Sequence, residues 1–236
     1  MTFLELSIIS VFCFVQSIFG IGLLLLGTPT FLLLGYGYFD VLNILLPFSI
    51  LISLSQIISY REKNFKFASK IFIFSVPTLV LGLILVKFLE SRINFTSFVS
   101  VFLIAFSIIN FLKLKKKSFK IRNINIGLVI LGIVHGLTNL GGSLLSLIAS
   151  NSTTEKNIIR FHIANGYLIF ATIQIFIINF FFKKLELSYL KFVWVPLIIF
   201  FISQYLFKKI ENILYYKMLN LFALFYGFYI LINTFR

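Results

Sequence analysis

Two long apolar runs in this chain are interrupted by glycine and small polar residues, the first at residues 16–22 (QSIFGIG) and the second at residues 135–143 (HGLTNLGGS). In hydrocarbon every backbone N–H and C=O must find a partner, so a stretch that invites unwinding survives only where it is buried in protein or lines a wet cavity. A pair of such breaks, one in each half, points to a binding site near the middle of a membrane.

Composition sets the surroundings of those breaks. With 60% hydrophobic and 12% charged residues and a mean hydropathy of +1.05 over 236 residues, there is more apolar side chain than one soluble core could hide. A hydrocarbon layer of about 30 Å needs ~20 apolar residues per helix, and such stretches recur with short polar connections. The expected fold class is therefore an all-α integral membrane protein, multi-pass in the inner (plasma) membrane, and not a barrel. The start of the chain has no basic region and no small-residue cleavage site, so the first apolar stretch is expected to belong to the mature fold. The net charge of +14 is concentrated at segment ends, most densely in residues 113–122 (KLKKKSFKIR). That is the pattern of a cytoplasmic loop lying against anionic lipid headgroups. The loops lack the aromatic and basic interleaving of a nucleic-acid surface. Cys13 is the only cysteine, which excludes an internal disulfide and a thiolate metal cluster.

Eight apolar segments follow one another, at residues 3–39, 41–60, 68–89, 95–112, 124–150, 158–182, 187–207 and 213–235. They suggest a first transmembrane repeat (1–112), a basic connecting loop (113–123) and a second repeat (124–236). Pro77 and Pro196 stand 119 positions apart, and the same shift maps Gln16 on His135, Gly22 on Gly141 and Asn43 on His162. The first segment, 37 residues long, would extend about 55 Å as a straight helix, so something must interrupt it. Two solutions stay open. One is a broken helix that crosses once; the other is a hairpin of two half-helices, which makes the halves inverted repeats and which the segment's length favours. Charge does not decide, because Lys and Arg divide 14 to 7 in the first case and 15 to 6 in the second. Pro47, Pro77 and Pro196 are expected to kink their helices.

The stretch GIGLLLLGTPTFLLLG and its echo GIVHGLTNLGGSLLSL resemble the TauE/SafE sulfite exporter family over essentially the whole chain, in length, segment number and duplication. Where that family usually carries a longer first glycine run, this chain has Leu23 and Leu24. The resemblance implies a membrane carrier of sulfite, sulfonates or related organosulfur anions.

The residues support an anion on their own terms. Asp40, Glu62, Glu90, Glu155, Glu186 and Glu211 all lie near segment ends, leaving the midsections without an acid that would serve a cation. A helix starting inside the membrane offers unpaired N–H groups and the positive end of its dipole to an anion. Gly20, Gly22, Gly141 and Gly142 permit close approach, and Thr28, Asn139 and Ser143 are candidate donors. His135 and His162 have two readings: interhelical hydrogen bonds, or contact with the substrate and its protons. Gln16, Asn43 and Asn165 could line the same cavity or glue helices together. Arg160 and Lys87 read as interface anchors whose charges snorkel outward, although Arg160 could also draw anions inward.

No HExxH, no GxSxG and no acid near either histidine is present, so an enzyme is not expected, nor is a metal or other cofactor. The competing class is a structural or assembly subunit that uses glycine for close helix packing, as the spacing of Gly132 and Gly136 would allow. The two differ in what happens at residues 132–146: a scaffold keeps the helix continuous, whereas a carrier unwinds it.

Overall fold

The computed structural model describes residues 2–61, 64–89, 123–153, 155–182 and 188–211, with single positions at 99, 101, 104, 214 and 232. Apart from those single positions, the apolar segments at 95–112 and 213–235 and the basic 113–122 loop fall outside the described residues. Among those described there are eight α-helices and no strand: α1 (Phe3–Phe19), α2 (Leu23–Leu33), α3 (Tyr38–Ser59), α4 (Lys66–Leu89), α5 (Ile124–Thr138), α6 (Gly142–Ser152), α7 (Lys156–Phe182) and α8 (Trp194–Lys209). Of these, α3, α4 and α7 are long and apolar enough to cross a membrane. The all-α membrane class expected from composition is the one observed.

Each expected break is a real helix boundary. The first 37-residue segment divides into α1 and α2 around Gly20–Gly22, and the fifth divides into α5 and α6 around Asn139–Gly141. Pro196 behaves differently from expectation. It falls in the first turn of α8, where the absent N–H costs nothing, and so helps to start that helix rather than kink it. The preceding residues, Ser188–Phe192, form a separate 3-10 turn.

The path of the chain follows from a few contacts. Thr2 and Glu5 cap the start of α1 reciprocally, and the Tyr36 hydroxyl, just past the end of α2, donates to the Glu5 carboxylate. The end of α2 has therefore returned to the start of α1, so the pair is an antiparallel hairpin with its tip at Gly20–Gly22. At the far end of α3, Tyr60 packs on Phe161 near the start of α7, with ring centroids 4.8 Å apart, so α3 and α7 run antiparallel. Helices α4 and α5 run parallel, Ser75 Oγ donating to Leu128 O at 2.7 Å and Thr78 Oγ1 to Val129 O at 3.0 Å, with Gly82 lying against Gly136 further along. Hence α5 begins, and α6 ends, at the face where α3 ends. The two hairpins open on opposite faces.

Packing repeats under exchange of the halves. Helix α1 packs on α8 as α5 packs on α4, α2 on α3 as α6 on α7, and α3 on α8 as α7 on α4; α3 against α7 and α2 against α6 are self-paired. The α4–α5 seam is the most extensive. A side chain at Gly132 would overlap Ser75 O, and one at Gly136 would overlap Leu79 O, so the two backbones touch.

Gly132→Ala is expected to lower stability by roughly 1–3 kcal/mol through overpacking, and Gly136→Leu by more, read as detergent melting temperatures. The hairpins predict a labelling pattern in a Cys13→Ala background. Leu34→Cys should react with an impermeant thiol reagent from the same side as Thr2→Cys, and Asn151→Cys from the opposite side.

Candidate functional site

Both breaks are built the same way. Helix α1 ends at Gly20 in the left-handed region (φ 77°), its N–H donating to Gln16 O at 2.8 Å; α5 ends at Asn139 (φ 60°), its N–H donating to His135 O at 2.8 Å. Asparagine is among the few non-glycine residues that enter this region readily. The next helices start at the same offset, with Leu26 N–H donating to Gly22 O and Leu145 N–H to Gly141 O, each at 2.8 Å. Gln16 and His135, Gly20 and Asn139, Gly22 and Gly141 are each 119 positions apart (139 − 20 = 119), and α2 and α6 have the same length of 11 residues. Gly22 (φ 153°) admits no other residue, because a Cβ there would lie 2.6 Å from Val15 Cγ1 and 2.9 Å from Gln16 N.

The N-termini of α2 and α6 are buried, and neither receives a side-chain cap. The first N–H groups of each, at residues 23–25 and 142–144, have no acceptor within the helix. By contrast, α1 and α5, which start near the membrane faces, are capped by Thr2 and Asn123. The two buried starts approach one another: a Cβ on Gly142 would stand 3.3 Å from Ile21 Cγ2. Asn139 Nδ2 donates to Thr28 Oγ1 at 2.9 Å, and Gln174 Nε2 donates to Asn139 Oδ1 at 3.4 Å. One chain of hydrogen bonds thus joins α2, the second break and α7.

The carbonyl end of α1 is satisfied from other helices. Gln56 Nε2 donates to Gln16 O (2.8 Å) and Ser17 O (3.2 Å), and Arg160 Nη1 donates to Ser17 O (3.2 Å) and to Gln204 Oε1 (3.1 Å). A cation at a helix C-terminus is electrostatically well placed. Arg160, expected to snorkel at the interface, instead stacks 3.5 Å over the Phe207 ring and is only 9% exposed. The Gln16 side chain reaches Ser49 Oγ (3.1 Å), halfway along α3.

His135 is fully buried, and its Nδ1 accepts the Gly141 N–H at 3.2 Å, which puts the ring proton on Nε2. Its ring lies 4.7 Å from that of Phe170. Ser143 Oγ donates to Leu140 O at 3.3 Å. So Gln16, Gly20, Gly22, Thr28, His135, Asn139, Gly141, Gly142 and Ser143 all belong to the two breaks. His162 is half-buried and stacks on Phe67 at 4.5 Å, Asn165 spends its amide on Phe161 O of its own helix (2.8 Å), and Asn43 is buried in α3. Sequence reasoning missed Gln56, Gln174 and Tyr167. The two glutamines could have been found as lone amides in otherwise apolar spans. Tyr167 is one of 10 tyrosines and carried no signal. Among the described residues no group of three or more His, Cys, Asp or Glu could hold a metal ion.

Asn139→Ala must hold alanine at φ 60°, a cost of roughly 1–2 kcal/mol. Asn139→Gly removes the same hydrogen bonds without that cost and should melt at a higher temperature than the alanine variant.

A family model described as sulfite exporter TauE/SafE matches residues 6–234 of the chain. No curated protein and no solved structure matches it.

Proposed function

The chain belongs to the sulfite exporter TauE/SafE family, and from that membership we propose that it is a secondary transporter of a small anion of sulfite or organosulfonate type. It works in the inner (plasma) membrane, with the 113–122 loop cytoplasmic. The anion is held near the midplane between two repeats, residues 1–112 and 124–236.

The observation that carries this reading is the meeting of two buried, uncapped helix N-termini from hairpins that open on opposite faces. Free N–H groups at this meeting point replace water around the anion, and both helix dipoles turn their positive ends toward it. Among the described acids, Glu5, Asp40, Glu155 and Glu211 all sit at element ends, away from the breaks. Thr28, Asn139, His135 and Gln174 are closed off from solvent, so access has to alternate. Rocking of one repeat against the other about the fixed site would expose it to each face in turn.

The scaffold reading draws on the Gly132–Gly136 seam, which does pack α5 on α4. Its helix stops two residues later at Thr138, however, and a packing surface alone needs no such break.

Purified protein in vesicles should show saturable uptake and efflux of labelled sulfite, competed by sulfonates and thiosulfate more strongly than by carboxylates, measured at two pH values. No movement of any of these anions in either direction would reject the carrier.

A further inference from the structure

Tyr167 stands over the start of α6 with a hydroxyl that no described residue engages. Its side chain is fully buried, its Oη has no hydrogen-bond partner among the described residues, and it points at Gly142, where a Cβ would overlap it. This is the helix start whose first N–H groups, at residues 142–144, also lack intrahelical acceptors. An O–H donor and a fan of N–H donors therefore converge on one spot.

The other half offers no such arrangement. Under the 119-position shift Tyr167 corresponds to Phe48 and Gly142 to Leu23, both buried apolar residues. Ser143 and Ser146 likewise correspond to Leu24 and Gly27. Where the second half carries a glycine and a phenol, the first half carries the buried apolar side chains of Leu23 and Phe48. A buried hydroxyl without an acceptor is a standing cost that phenylalanine would avoid. An acceptor arriving with the substrate removes it.

We propose that the substrate's oxygen atoms are seated on the second half alone, at the N-terminus of α6, with one oxygen accepting from the N–H groups of α6 and another from the Tyr167 hydroxyl. The ligand class is an oxyanion with at least two oxygens on one centre, as in sulfite or a sulfonate. The start of α2 is a packed apolar counterface. This rests on the carrier reading and goes beyond it by giving the two pseudo-equivalent helix starts different tasks.

Equilibrium binding of ³⁵S-labelled sulfite to the purified full chain, with methanesulfonate as competitor, tests it. Tyr167→Phe removes one oxygen atom and should raise the Kd for both anions roughly tenfold or more, the usual size of a hydrogen bond to a charged group. Its melting temperature should stay at or above that of the unaltered protein, because no internal hydrogen bond is lost. If the unaltered protein binds sulfite and Tyr167→Phe binds it equally well, the seat on α6 is overturned and the carrier stands. Weaker binding together with a lower melting temperature would make Tyr167 a structural residue and overturn the seat as well. If the unaltered protein binds neither anion, both readings fall.

Discussion

The structure depends on satisfying backbone groups where the chain leaves helical form inside a layer that supplies no water. The two ends of each break solve this differently. The carbonyls that terminate α1 receive donors from Gln56 and Arg160, residues of other helices. The N–H groups that begin α2 and α6 receive no side-chain cap. At the first break the carbonyl end is tied off by side chains of other helices, while the amide starts of α2 and α6 receive no side-chain cap, an asymmetry that suits negative charge.

The exchange symmetry of the packing explains how two hairpins reach the same place from opposite faces. Each half lays its first helix on the last described helix of the other. With α3 and α7 antiparallel at the centre, the tip of one hairpin lies beside the start of the other's half-helix, as Ile21 lies beside Gly142. The apolar core runs through all of these elements as one cluster, from Ile9 in α1 to Phe207 in α8. The tips of the two hairpins are therefore lined by residues of both halves.

Much of this was legible in residue order and some was not. Glycine and small polar residues mark both breaks, because the left-handed turn at Gly20 and Asn139 and the close approach at Gly22 select for them. The choice between a crossing helix and a hairpin was illegible, since both distribute positive charge equally well; a contact between Glu5 and Tyr36 decides it. Arg160 has the neighbours of an interface anchor, and only the arrival of the α1 carbonyl end at its level turns it inward. His162, which the 119-position shift sets against Asn43, stacks on an aromatic ring of α4 because α7 and α4 adjoin there.

The glycine seam between α4 and α5 has a mechanical consequence. Gly82, Gly132 and Gly136 let those two backbones touch, so neither helix can slide or roll without driving main chain into main chain. The corresponding seam, α1 on α8, contains no glycine in either helix and meets through side chains, which can change rotamer as they pass. One hairpin is thus clamped to a stiff beam and the other rides on a bearing, and any stroke of the molecule has to be taken up on the α1 side.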